Sequence, residues 1–191
     1  MSFTGGDKLK AKLGEIARQV ARADTVNVGF LSDATYPDGT PVAAIAVIQE
    51  YGGTANVPEH DVTINRNINA AGEFKNGGKF VKAGKANYQT THHVDAYTIT
   101  IPARPFFRGM IATNKGEWGP KLGKIIKAAD YDSTVALGRL GELVQGQLIQ
   151  SIRDFSDPEN AKSTVAKKGF DDPLIGSGHM ANSTGYEVNE P

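Results

Sequence analysis

Between Asp7 and Ala21 the apolar residues Leu9, Leu13, Ile16, Ala17 and Val20 recur at the spacing of one helical face. Asp7 is placed to serve as the N-cap of this amphipathic helix. After "RADT" the period drops to two, with Val26, Val28 and Phe30 on one face and Asn27, Gly29 and Leu31 on the other, which predicts a strand. "SDATYPDGTP" reads as a loop because Pro37-Asp38-Gly39 is turn chemistry. The run "PVAAIAVIQEYGG" opens on a proline suited to a first helical position and closes on Gly52-Gly53, which suits a helix terminus. It predicts a short helix with Val42, Ile45, Ala46 and Ile48 or Gln49 inward; a buried strand is the rival for so short an apolar run.

From residue 54 to 100 the pattern leaves that of a compact body. Val62, Ile64 and Ile68 alternate with polar residues, Gly77-Gly78 sits between two Phe-Lys pairs, and Tyr97, Ile99 and Ile101 share a face. These features predict an extended antiparallel hairpin or arm. In "IPARPFFR", Pro102 and Pro105 hold the backbone extended and withhold two donors, which ends strand pairing. A helix is predicted over "GEWGPKLGKIIKAAD", with Trp118, Leu122, Ile125 and Ile126 inward. The longest helix follows, starting at Asp132-Ser133 and carrying the stripe Leu137, Leu140, Val144, Leu148 and Ile152. Gly138, Gly141 and Gly146 each weaken it by about 1 kcal/mol relative to alanine unless they permit close packing. The remaining segment, 155–191, is rich in Gly, Pro, Asp and Asn, with a short helix predicted over Pro158 to Lys168 and a strand at Tyr186 to Val188. The expected architecture is a single α+β domain over 1–191: a small antiparallel sheet packed by a few helices, a hairpin insertion at 54–100 and a loop-rich extension at 155–191.

Composition narrows the classes. Hydrophobic residues make up 39% and charged residues 22% of the 191, so the chain is globular, while 22 glycines and a negative mean hydropathy indicate long polar connections. Lys plus Arg and Asp plus Glu both number 21, which gives no general excess for binding phosphate. Cysteine is absent, which excludes disulfides, thiolate catalysis and Cys-ligated zinc and suits a reducing cytoplasm. The first twenty residues hold no apolar signal core, and no window approaches a membrane span, so a soluble product is expected.

Candidate chemistry is sparse. His60, His92, His93 and His179 are the available imidazoles, but adjacent residues of a strand point to opposite faces, so His92 and His93 are poorly placed to share an ion. Ser177 in "IGSGHM" lacks the strand-turn-helix context of a nucleophile elbow. "GGDK", "GEFKNGGK" and "KAGKAN" miss the phosphate-loop spacing. Lys75, Lys79, Lys82 and Lys85, interleaved with Phe74, Phe80 and Tyr88, make either a basic-aromatic surface for a nucleic-acid strand or lysines guarding exposed strand edges. In the proline motif, Phe106 and Phe107 offer large apolar faces, and Arg104 and Arg108 offer planar donor forks. That segment reads equally as an interface anchor or as a corner plugged into its own core.

Several pieces in order carry a resemblance: "IQEYGG" at 48–53, "IPARPFFR" at 101–108, a long helix, "KKGFDDPLIGSGHM" at 167–180 and a closing "YEV" at 186–188. The set resembles tail-completion or neck proteins of long-tailed bacteriophages, also described as head-tail joining or virion morphogenesis proteins. The stretch "GGKFVKAGKANYQTTHHVDAYTITIPARPFFR" is similar to one branch of that family. Where the family commonly reads Pro-Leu-Ile-Asp-Thr-Gly, this chain has Gly176 and Ser177, so no acidic role carries over to that turn. The resemblance implies an α+β protomer that forms a ring between the capsid portal complex and the tail, with no catalytic site and no cofactor. The implied partners are further copies of itself, head-tail connector and tail terminator or tail tube proteins, and packaged DNA in the lumen, with no membrane. The implied location is the neck or tail region of the virion, reached by assembly in the host cytoplasm. The interface residues expected are Pro102, Arg104, Pro105, Phe106, Phe107 and Arg108, with Phe74, Phe80 and Tyr88 on the hairpin and Pro173, Leu174 and Gly178 at the late turn. A tail terminator, a nucleic-acid-binding protein using the hairpin, and a metalloenzyme using His60, His92 and His93 are the rival readings.

Overall fold

The computed structural model describes residues 6–23 and 25–190 and has an α+β fold. It divides into two compact units, one built from the chain up to Gly52 and from Pro102 onward, the other from Gly53–Ile101. Among the described residues, no helix is long and apolar enough to cross a membrane.

In the first unit, α1 (Gly6–Val20) leads into β1 (Thr25–Phe30), whose alternation is that read from the sequence. β1 pairs antiparallel with β6 (Thr184–Asn189), from Thr25↔Asn189 to Phe30↔Thr184. The C-terminal segment is therefore a structural partner of the first strand. Against this ladder packs α4 (Ser133–Arg153), which also packs on α3 (Phe106–Ala128). The Asp132 side chain caps α4 by accepting the Val135 N–H. Ala136, Leu140, Val144, Leu148 and Ile152 are buried along its inward stripe, while Leu137 is only partly covered. The core is completed by Val42 and Ala46 of α2 (Val42–Tyr51), Phe106 and Met110 of α3, Leu174, and Met180 and Ala181 of α6 (His179–Asn182).

The three glycines of α4 separate by environment. A Cβ on Gly141 would stand 2.6 Å from the Tyr186 ring and 2.8 Å from the Val26 side chain, whereas Gly138 meets Val188 only at 4.0 Å and Gly146 meets nothing. Gly141 is thus the point where α4 closes onto the β1–β6 ladder. Gly141→Ala is expected to destabilise the protein by about 1–3 kcal/mol through overpacking, and Gly146→Ala to stabilise it by up to about 1 kcal/mol through helix propensity. Urea unfolding midpoints of the two variants, moving in opposite directions, check both.

Three elements depart from the sequence reading. α3 begins at Phe106, ten residues before "GEWGPKLGKIIKAAD", because Pro105 starts a helix rather than merely ending an arm, and the helix runs through Pro120. The inward stripe of α2 is Val42, Ala46 and Glu50, with Ile48 exposed and Gln49 partly covered. α5 is shorter than expected, Lys162–Lys168. The amphipathic stripe of α1 is present, but the described residues do not bury it: Leu9, Leu13 and Val20 are 62%, 57% and 47% exposed. The C-terminal end of α1 is tied down where Ser133 Oγ donates to the Gln19 carbonyl (3.0 Å) and accepts the Ala23 N–H (2.8 Å), and Arg22 pairs with Asp132.

The second unit is an antiparallel ribbon. β2 (Gly53–Val57) pairs with β5 (Tyr97–Ile101), and β3 (His60–Arg66) pairs with β4 (Tyr88–Val94). One register runs through both ladders, from Gly53↔Ile101 to Arg66↔Tyr88, interrupted at Pro58, Glu59, Asp95 and Ala96. Among the described residues the strands form three two-stranded ladders, one in the first unit and two in this ribbon. Tyr97 and Ile99 share one face and remain about half exposed. A two-stranded ribbon with an uncovered apolar face is marginal by itself in water.

Candidate functional site

The proline motif is the corner where the chain re-enters the first unit, and its local geometry follows from its prolines. Pro105, at φ −76° and ψ 60°, centres an inverse γ-turn in which the Phe106 N–H donates to the Arg104 carbonyl at 2.7 Å. α3 starts there, and its first free N–H groups face α2. The Glu50 carboxylate, buried at 5% exposure, accepts from the Phe107 N–H (2.9 Å), the Arg108 N–H (3.1 Å) and Arg108 Nε (2.8 Å). An acidic group suits both the unsatisfied donors and the positive end of the helix dipole. Arg108 Nη2 also donates to the Glu50 carbonyl (3.1 Å), and its guanidinium lies over the Tyr51 ring at 4.6 Å.

Arg104 is nearly buried and joins three parts of the unit. Its backbone N–H donates to the Gln49 carbonyl (2.7 Å), its Nη1 to Gln49 Oε1, and its Nη2 to Asn160 Oδ1 (3.4 Å). Asn160 is in turn held by Asp171 through two bonds of 3.0 Å. Burial pushes the Arg104 guanidinium below its ordinary pKa, partly offset by the Asp171 charge. Phe106 is 1% exposed and packs edge-to-face with Phe30 at 6.4 Å, and its carbonyl accepts from Ser151 Oγ.

The structure therefore divides the expected interface residues. Arg104, Phe106, Pro173 and Leu174 are buried within the first unit. Phe107 and Arg108 line a shallow groove of about 210 Å³ together with Phe30, Val47, Glu50 and Tyr51. Pro102 and Pro105 are exposed, and Gly178, at φ +79°, precedes α6 beside a separate depression of about 340 Å³. Phe74, Phe80 and Tyr88 come together at the tip of the ribbon, in the other unit. Sequence reasoning missed Glu50 and Asn160 and placed Gln49 only as an alternative on the inward stripe. The signal for Glu50 was its place four residues after Ala46 on the inward stripe of a helix.

The groove is lined by Phe30, Val47, Glu50, Tyr51, Phe107 and Arg108. It offers apolar walls, and its buried carboxylate is already engaged by three donors. The histidines are occupied elsewhere. His179 Nε2 bonds the Thr35 carbonyl (2.8 Å) and its ring lies against Tyr36, and His92 bonds Thr90. His60 bonds the Pro58 carbonyl, and His93 meets Asp61 at 3.0 Å, with Glu59 and Asp95 near 4 Å. Among the described residues, no group of three or more His, Asp or Glu side chains is arranged to hold a metal ion. Ser177 Oγ accepts the His179 backbone N–H at 3.4 Å. Comparisons with protein-family models, with curated proteins and with solved structures find no match to this chain.

Proposed function

We propose that this protein is a structural virion component of the neck or tail-completion type, assembling as a ring that joins the capsid portal complex to the tail. The observation that carries the reading is the uncovered stripe of α1, in which Leu9, Leu13 and Val20 face solvent on a helix with no buried residue. A helix of this length is marginal alone and gains most of its stability from packing its apolar face. The outward side of α2, with Val47, Ile48 and Tyr51 exposed, is a second apolar surface on the same unit. Two different uncovered patches suit the head-to-tail contacts from which rings close. The ordered resemblance of "IQEYGG", "IPARPFFR" and "KKGFDDPLIGSGHM" to neck proteins adds the place in the virion.

Light scattering and sedimentation of the purified protein, alone and mixed with tail tubes or DNA-filled heads, test this reading. A ring, or a protomer that joins one of those particles, is the expected result, and the particle bound shows which side is contacted first. A monomer or dimer that ignores both particles refutes it. Leu13→Asp is expected to leave the unfolding midpoint of the protomer within about 0.5 kcal/mol of the parent, as for other exposed sites, while shifting the assembled species to the monomer.

A further inference from the structure

The tip of the ribbon, beyond the last paired residues Arg66 and Tyr88, carries a concentration of unneutralised positive charge around open aromatic surface. We propose that this tip binds single-stranded nucleic acid, with Phe80 stacking on a base and the surrounding lysines contacting the phosphates.

The tip is built rather than loose. Asn67 and Asn87 cross-link it, with the Asn87 N–H donating to Asn67 Oδ1 (3.0 Å), the Ile68 N–H to Asn87 Oδ1 (2.8 Å) and Asn87 Nδ2 to the Ile68 carbonyl (2.9 Å). The Lys75 N–H donates to the Asn67 carbonyl and the Val81 N–H to the Asn65 carbonyl, which fold the intervening chain back onto the ribbon. Gly77 and Gly78, both at positive φ, make that reversal.

Within this frame the Arg66 guanidinium lies between two rings, 5.0 Å from the centroid of Phe74 and 5.2 Å from that of Phe80. Tyr88 meets Phe74 edge-on at 5.9 Å, and Phe74 remains 48% exposed. Phe80 is the more open ring, at 70% exposed. A phenyl face left in solvent beside a guanidinium is the platform on which unpaired bases stack.

Charge selects the same ligand. Lys75, Lys79, Lys82 and Lys85 are exposed and, with Arg66, take part in none of the ion pairs among the described residues. Glu73, the lone carboxylate between Arg66 and Tyr88, accepts the Asn69 side-chain amide. Arg66 Nε is buried with no hydrogen-bond partner. In a chain of zero net charge this is a local excess, the footprint of a polyanion site. The plainer account, lysines guarding a strand edge, does not fit, because all four lie outside the ladders and have no edge to guard.

The test is fluorescence anisotropy of a labelled oligothymidylate titrated with the full-length protein at low and rising salt. Binding is expected at low salt and should weaken steeply as salt is added. Phe80→Ala should weaken it about 5- to 150-fold, the range for losing one stacked base. Since Phe80 also flanks Arg66, the double substitution Lys79→Gln with Lys82→Gln provides a second reading that leaves the aromatic cluster intact. It should lower the slope of log affinity against log salt by about 0.7 per lysine removed. Absence of binding at low salt overturns the proposal, as does binding by both variants equal to the parent. A duplex held as tightly as the single strand also overturns it, and so does displacement of the strand by polyglutamate at equal charge, which would mean an acidic protein surface is the partner. Ring formation is read separately by light scattering, so this proposal and the assembly reading fail independently.

Discussion

Phe106→Ala should destabilise the protomer by about 3–5 kcal/mol, the range for truncating a fully buried aromatic ring, and lower the urea midpoint without changing the slope of the transition. The ring is 1% exposed, packs against Phe30 and sits among Val42, Ala46, Leu148 and Ile152 in one continuous core. Its backbone also starts α3 and bonds Ser151 on α4, so little can move to refill the space. The adjacent Phe107 supplies the contrast. It is partly exposed along the groove, and Phe107→Ala should cost under about 2 kcal/mol because part of its surface is never removed from water. If the groove is an assembly contact, Phe107→Ala weakens the assembled species while the protomer stays folded. Equal destabilisation by both substitutions would show that Phe107 is as much a core residue as Phe106.

The contrast between these neighbours marks where the sequence stops being readable. Period-two spacing identified β1 because Val26, Val28 and Phe30 are all packed from one side by α4 and the core. The same reasoning found the ribbon, since Tyr97, Ile99 and Ile101 share a face whether or not anything covers it. It could not find the start of α3, because a proline that ends a strand and a proline that initiates a helix impose the same φ. Nor does periodicity say what an apolar stripe faces. Leu9, Leu13 and Val20 have a core-like pattern yet lie in solvent, whereas Glu50, a residue type rarely buried, occupies the inward stripe of α2. At the ribbon tip, Phe74, Phe80 and four lysines were visible as a mixed segment. The cluster that brings the two rings together depends on Arg66, which precedes them in the chain and lies over both.

Glu50→Ala is the second large effect expected, about 2–4 kcal/mol, and its origin is polar. The carboxylate satisfies the Phe107 and Arg108 N–H groups, which have no helical carbonyl to bond, in a pocket where water is largely excluded. Each buried donor left without a partner costs about 1–3 kcal/mol. The side chain of Arg108 is about half exposed, so it can turn toward water, and loss of the ion pair itself adds little. Glu50→Gln should recover part of the stability, since its carbonyl oxygen replaces one acceptor while its NH₂ group faces donors and replaces none. The order parent, Gln, Ala in urea midpoint therefore follows from acceptor count at constant backbone. Amide hydrogen exchange locates the effect: protection at Phe107 and Arg108 should fall in Glu50→Ala by more than protection in the middle of α4. Uniform loss across the first unit would instead mean that Glu50 supports the packing of α2 as a whole, and unchanged exchange at both amides would remove the carboxylate from its role as the cap of α3.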